Sequence, residues 1–384
     1  MAATDTREEH FKRTLNALVT RENVAKETLL DLLGSAQVYS ELTSGSRLPS
    51  TYEATLLSAF FRVSPGLLMQ TQVPTMGVSL RLGGVEGIHD VSDAVSHATR
   101  LLAVDRLTRE WGFKHPVTEI STFAPSAIWH ERNAGERTAA RLRAYLDINE
   151  TDPIRDLTGL IENLGFPVEY RSLPEEVHGI SIPEAWGEQS AWVIIINSND
   201  VWSRQRFTLA HELCHVLQND VGQVIVDRAT MQDLRPERIA NSFARHFLLP
   251  EEALEEMLDA RGEITSKIDA ANLVADTVLT YGVSRDATMI ALSEVMQDAM
   301  EEDLFDYCQE IQVAEIMRIA GKLEVWNDLN RSRGLAFPSE RLSQQVLDAF
   351  SEGLVSLQSV ADVVADGSLD SARLQLQEAG WDIS

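Results

Sequence analysis

The spacing of hydrophobic positions changes in the middle of the chain. Residues 191–197 are apolar at nearly every position, which predicts a buried strand. Shortly afterwards, Leu209, Leu213, Val216 and Leu217 share one face at helical spacing, which predicts a helix packed into a core. A strand followed by such a helix indicates that the centre of the chain combines a small sheet with helices.

Helical spacing dominates both ends of the chain. After several short N-terminal helices, it predicts one amphipathic helix within residues 90–111 and two further helices within 342–352 and 355–364. The fold class is therefore predicted to be α+β. Four parts are expected: a helical domain at residues 1–70, a helical connector at 71–118, a mixed domain at 119–260 and a helical region at 261–384.

The composition is that of a soluble globular protein. Of 384 residues, 44% are hydrophobic and 24% are charged, and no apolar stretch is long enough to span a bilayer. The first residues hold no apolar signal region and two cysteines are too few for a disulfide framework, so a cytoplasmic location is expected. The net charge is −26, of which residues 151–384 carry −24. This acidity suits a basic protein partner better than nucleic acid, although solubility alone also explains it.

The predicted central helix contains a candidate metal site, because residues 211–215 have the sequence His-Glu-x-x-His. His211 and His215 lie one turn apart on the same helix face, the spacing that two imidazoles need to bind one zinc ion at about 2.0–2.1 Å. Glu212 would lie beside the metal and take a proton from metal-bound water. Three fixed positions can occur by chance, and a purely structural zinc site is an alternative. A structural site would not need Glu212, so its presence favours catalysis.

Catalytic zinc keeps three protein ligands and one open position, so a third ligand is needed. Four downstream acidic residues are candidates: Asp220, Asp227, Asp233 and Glu237. Glu237 is preferred because it opens a second helical pattern, which Pro236 precedes and Pro250 ends. Small residues on the face of Glu237 would let the two helices approach closely. His246 lies roughly on the opposite side of that helix and is expected to be structural or exposed.

These segments resemble a known family. Residues 206–213, the Glu-x-x-Ala-Asn pattern at 237–241 and Leu-Leu-Pro at 248–250 are similar to ImmA/IrrE-type zinc metallopeptidases. Residues 140–168 resemble the start of the same domain. The resemblance implies a zincin-like domain, in which a small sheet accompanies the helix that carries His-Glu-x-x-His.

The resemblance also implies roles for individual residues. His211, His215 and Glu237 would bind Zn²⁺, and Glu212 would be the general base. Proteins of this family cleave helix-turn-helix repressors or act in prophage, stress-response and toxin–antitoxin settings. The substrate would then be a regulatory protein, and the C-terminal helices resemble a tail that often accompanies a neighbouring toxin-like protein.

The N-terminal helices, predicted within residues 26–33, 35–44 and 50–61, resemble an Xre/Cro-type helix-turn-helix module. The second helix of such a module enters the DNA major groove. Gln37, Ser40 and Thr43 could read base edges, but residues 35–44 contain no Lys or Arg and only Arg47 follows. Because phosphate contacts require basic residues, DNA binding is expected to be weak if it occurs. The alternative is a module for protein contact or homodimer formation.

The sequence thus predicts a cytoplasmic zinc endopeptidase that cleaves a regulatory protein such as a repressor. The alternative function is a transcriptional regulator or antitoxin that binds DNA and a partner protein. In that case the zinc domain would sense or bind rather than cleave. A DNA shift assay beside a cleavage assay on a repressor encoded nearby would separate the two.

Overall fold

The structure is a computed structural model, and it describes the greater part of the chain. The described residues are 7–21, 24, 26–61, 79–82, 92–110, 112–113, 131–186, 189–218, 226–227, 235–295 and 300–381.

Four helices form the N-terminal part: α1 (Arg7–Arg21), α2 (Lys26–Leu33), α3 (Ala36–Ser44) and α4 (Thr51–Phe61). The predicted boundaries of α2 and α3 are confirmed within one residue. The Ser35 hydroxyl accepts a hydrogen bond from the Val38 amide and so caps the start of α3. Gly45 ends α3 with a φ of 73°, a left-handed conformation that favours glycine.

A five-stranded sheet lies at the centre of the molecule. Its strands are β1 (Ser79–Leu82), β2 (Val168–Arg171), β3 (Val177–Trp186), β4 (Gln189–Asn197) and β5 (Val226–Asp227), in the order β2-β4-β3-β1-β5. Strand β4 pairs parallel with β2 and antiparallel with β3, while β1 pairs antiparallel with β3 and parallel with β5. The predicted strand at residues 191–197 is confirmed as part of β4.

Helices make up the rest of the described chain. Those that precede or interrupt the sheet are α5 (Ser92–Glu110), α6 (Glu131–Tyr145), α7 (Leu157–Asn163), α8 (Trp202–Gln218) and α9 (Arg235–Leu248). The C-terminal helices are α10 (Glu251–Arg261), α11 (Lys267–Tyr281), α12 (Arg285–Val295), α13 (Glu302–Glu310), α14 (Val313–Ile319), α15 (Leu323–Leu329), α16 (Glu340–Ser351), α17 (Leu357–Val364) and α18 (Leu369–Glu378). The helix predicted within residues 90–111 is therefore confirmed as α5.

The sheet separates two hydrophobic cores. Successive side chains of a strand point to opposite faces, so Trp192 and Ile194 join the core that contains α8 and α9. Val193 and Ile195 join the second core, which also contains residues of α1–α5 and of α16–α18. Strand β4 is apolar at almost every position because both of its faces are buried. Helices α16–α18 are thus packed on the second face of the sheet, whereas residues of α10–α15 belong to the core that contains α8 and α9.

Close packing of α6 against α9 fixes the position of α9. A Cβ atom on Gly135 of α6 would lie 2.6 Å from the Ile239 carbonyl oxygen and 2.6 Å from the Phe243 amide nitrogen, far inside van der Waals contact. A glycine is therefore required where the two backbones meet. Helix α9 in turn contacts α8, and these two helices carry the candidate metal ligands.

A buried carboxylate connects the C-terminal helices to the centre. Glu162 of α7 is 5% exposed and accepts hydrogen bonds from the Ser339 hydroxyl at 2.5 Å and the Arg341 amide at 3.1 Å. The Val168 amide, which begins β2, donates to the same carboxylate at 3.3 Å. Glu162 thus fixes the start of α16 against the edge of the sheet.

Candidate metal centre

The structure brings the three predicted ligands together in the interior. His211 and His215 lie on α8 and Glu237 lies in the first turn of α9, and each is at most 1% exposed. The two imidazole Nε2 atoms are 3.0 Å apart. Glu237 Oε2 lies 3.2 Å from His211 Nε2, and Glu237 Oε1 lies 3.3 Å from His215 Nε2. One nitrogen or oxygen from each residue therefore faces a common point.

This donor set fits a zinc ion. A tetrahedral ion with bonds of about 2.05 Å holds its ligands roughly 3.3 Å apart, close to the observed separations. Two histidines and one glutamate are a set found in catalytic zinc sites, which keep the fourth position open. Burial alone would raise the pKa of Glu237, but hydrogen bonds with His211 and His215 outweigh it and hold that pKa well below its usual range. The carboxylate is therefore ionised, as a ligand must be.

Asn241 orients one of the imidazoles. Its Oδ1 lies 3.1 Å from His211 Nδ1, and an amide oxygen can only accept, so Nδ1 carries the proton. The Nε2 lone pair of His211 then points towards His215 and Glu237. Such an outer hydrogen bond accompanies almost every histidine that binds a metal. Asn241 belongs to the Glu-x-x-Ala-Asn pattern at 237–241, but its contact with His211 was not predicted.

Strand β3 positions Glu212. The Ser181 hydroxyl donates a 2.5 Å hydrogen bond to Glu212 Oε2, and both residues are fully buried. A Cβ atom on Gly179 would lie 2.5 Å from Thr208 Cγ2 and 3.2 Å from Glu212 Cγ. The absence of a side chain at Gly179 is thus needed for α8 to approach β3. Sequence reasoning missed both contacts, and their one signal is the alternation of small residues at 179 and 181 in a strand.

A cavity adjoins the candidate centre. It encloses about 730 Å³ between α8, α9 and α12. Thr208, one turn before His211, and Asn241, which contacts His211, both line it. Phe207 and Ile290 supply apolar wall, and Ile290 is 52% exposed. The cavity is large enough for a segment of several residues.

The other residues considered as ligands do not join the cluster within the part of the chain that the structure describes. His246 is buried, and its Nδ1 donates to the Ser242 carbonyl at 2.7 Å. Its Nε2 lies 3.6 Å from Glu251 Oε1, so His246 belongs to a separate group. Asp220 and Asp233 lie outside the described residues. Asp227 is in β5, where only its backbone pairing is described.

Candidate DNA contacts in the N-terminal helices are engaged within the protein. Arg47 donates to Glu53 through two 2.7 Å hydrogen bonds and to Glu41 through a third. Gln37 donates to Glu41 at 2.8 Å, and the Thr43 hydroxyl donates to the Tyr39 carbonyl. A phosphate contact by Arg47 would therefore require it to leave two carboxylates. A helix-turn-helix function stays a prediction.

Comparison with known proteins supports the family resemblance for the centre of the chain. Residues 162–293 match the family model Peptidase_M78, described as the IrrE N-terminal-like domain. The match contains His211, His215 and Glu237, and it supports a metallopeptidase of the ImmA/IrrE type. No curated protein and no solved structure matched the chain.

Two further findings bear on the predicted chemistry and location. The matched family implies a metal ion, usually zinc, and the only fully buried group of three candidate ligands among the described residues is His211, His215 and Glu237. Within the described helices, none combines the length and the apolar character needed to cross a bilayer.

Proposed function

We propose that this protein is a zinc-dependent endopeptidase of the ImmA/IrrE type. The observation that carries the proposal is the buried group of His211, His215 and Glu237 with Glu212 next to it on α8. The match to the Peptidase_M78 family model supports the same function. A purely structural zinc site would not require Glu212, a second carboxylate that is not a ligand and is held in place by a strand.

The chain's own residues support a hydrolytic role. When bound, a zinc ion would act as a Lewis acid on the scissile carbonyl and on a water molecule. Glu212 is oriented by the Ser181 hydroxyl, so its carboxylate is available to accept a proton from the water and deliver it to the leaving amine. Asn241 fixes the orientation of the His211 ring, which keeps His211 Nε2 directed at the metal position.

The proposed substrate is a regulatory protein, such as a helix-turn-helix repressor, in a stress, prophage or toxin–antitoxin setting. The family resemblance and the charge distribution support it, because residues 151–384 carry −24 of the net charge of −26. DNA-binding repressors present basic surfaces. Attraction between opposite charges speeds association, and salt weakens this attraction. A neighbouring toxin-like protein is the second partner proposed.

The alternative function, DNA binding by the N-terminal helices, is less well supported. Arg47 is paired with Glu41 and Glu53, and α3 contains no Lys or Arg. Binding that depends on phosphate contacts would therefore be weak at physiological salt. Tight, sequence-specific binding of promoter DNA by the full chain would favour the alternative.

The test is cleavage of a helix-turn-helix repressor encoded beside this gene, followed by mass spectrometry. Wild-type protein with zinc should cut it at defined bonds, and Glu212→Gln should be slower by a factor of about 10² or more because general-base catalysis is removed. Glu256→Gln, on the exposed side of α10, is the matched control and should cut normally. Undiminished cleavage by Glu212→Gln would refute a peptidase site of this type.

A further inference from the structure

One edge of strand β3 lies beside Glu212, the proposed general base. Strand β3 pairs with β4 along one edge, and its other edge runs past residues 177–181. The same stretch carries Gly179 and Ser181, which contact Glu212. An extended segment paired with this edge would therefore lie next to the residue proposed to activate water.

A segment of the chain itself occupies that edge. Strand β1 pairs antiparallel with β3, and Ser79 is the partner of Ser181 while Leu80 is the partner of Ile180. On its other side, β1 pairs parallel with β5 through Leu80 and Val226. Strand β5 belongs to the connection between α8 and α9, the two helices that carry the metal ligands. The four residues of β1 thus lie between β3, which contacts Glu212, and β5.

We propose that Ser79–Leu82 occupies the groove in which a substrate would lie as an extended strand, and that a substrate must displace it. That the displacing segment is a substrate rests on the proposed function. The surface and its occupant are defined by backbone pairing alone. An exposed strand edge binds an extended peptide through main-chain hydrogen bonds, as strand addition does in other proteins. The partner chemistry is therefore an unfolded or extended polypeptide segment rather than a folded surface.

The register of β1 on β3 determines where β1 would compete with a substrate strand. Ser79 stands opposite Ser181, so the backbone of β1 passes Glu212 at the position where a substrate backbone would. Only three residues of β1 have a partner in β3, and the register shifts between Leu80 and Leu82. Short pairing favours exchange with another strand. Because β1 is part of the same chain, it competes at an effective concentration that a free peptide reaches only at about millimolar levels.

The first experiment tests where β1 lies, using the full chain. Antiparallel partners have Cα atoms about 4.5–5.5 Å apart, within the range of a disulfide. Leu80→Cys/Ile180→Cys should therefore form an intramolecular disulfide under mild oxidation. The matched control is Leu80→Cys/Ile195→Cys, because Ile195 is the partner of Ile180 on β4, one strand further away. The native Cys214 and Cys308 are both buried. Equal cross-linking of the two pairs, or none of either, would overturn the placement.

The second experiment tests competition without requiring cleavage. The probe is a fluorescent peptide with the sequence of residues 76–85, and binding is followed by fluorescence anisotropy. Leu80→Pro removes a backbone donor from β1 and should bind the probe about tenfold or more tightly than wild type, because the intramolecular competitor is weakened. Leu80→Val keeps the strand and is the matched control. The oxidised Leu80→Cys/Ile180→Cys protein should not bind the probe, and reduction should restore binding.

Cleavage is then measured on the same proteins. Oxidised Leu80→Cys/Ile180→Cys should cut a test repressor at least about tenfold more slowly than its reduced form, by the same competition. If the oxidised protein binds and cuts as well as the reduced one, β1 is an ordinary sheet strand and the proposal is wrong. If no protein cuts anything but the anisotropy differences are observed, the proposed function fails while occupancy of the groove stands.

Discussion

Replacement of Asn241 should weaken metal binding without unfolding the protein. Asn241 Oδ1 accepts the Nδ1 proton of His211 at 3.1 Å, and the His211 ring is fully buried. Asn241→Ala would leave that N–H without its acceptor, which costs about 1–3 kcal/mol in a buried site. Since about 1.4 kcal/mol corresponds to a factor of ten, zinc affinity should fall by roughly 10–100-fold.

The assay is competition for zinc against a chromogenic chelator of known affinity. Asn241→Asp keeps an acceptor at the same place and should retain most of the affinity. Ser242→Ala changes the next residue of α9, which lines the same cavity, and serves as the control. An Asn241→Ala protein that binds zinc within about twofold of wild type would show that His211 is not held by this contact, which contradicts the expected role of an outer hydrogen bond.

Three further predictions concern stability. Glu162→Gln should lower the free energy of unfolding by about 2 kcal/mol in urea titration, because a buried charged acceptor is lost, whereas the exposed Glu175→Gln should change it little. Gly135→Ala should destabilise by about 1–3 kcal/mol through overpacking, although alanine ordinarily stabilises a helix, and a more stable variant would refute the α6–α9 contact. Hydrogen bonds from Arg47 lower the pKa of Glu53 from its ordinary value of 4.5. The pair therefore stabilises the fold above pH 4.5, and its contribution is lost as the pH falls through the lowered pKa. The stability difference between wild type and Arg47→Met should shrink on acidification in circular dichroism melts.

Elements with strong local patterns could be predicted from the sequence. The helix that carries His211 and His215 shows a clear apolar face, and the helix of Glu237 has Pro236 in its first turn and ends before Pro250. Two helices with ligands at known positions are enough to propose a cluster. Strand β4 could be predicted as well, because residues buried on both faces form a continuous apolar run.

Features that depend on pairing between distant segments could not be predicted. Strands β1 and β5 have four and two residues and show no alternation that distinguishes them from loops, so only their pairing defines them. The contact between Ser181 and Glu212 likewise joins residues 31 positions apart. His246 was expected to be structural or exposed, and the structure shows the first, but its neighbour Glu251 on α10 was not predicted. The pairing of Arg47 with Glu41 and Glu53 was likewise not predicted, since it depends on how the turn after α3 places Arg47 between them.

Zinc content tests the account most directly. Elemental analysis of purified full-length protein should give about one zinc per chain, and the same value for Glu212→Gln and for His246→Ala, since neither residue belongs to the proposed ligand set. The His211→Ala/His215→Ala double variant should retain almost no zinc while keeping its helical circular dichroism spectrum. Equal zinc content in wild type and in a folded double variant would contradict the metal centre and the function built on it.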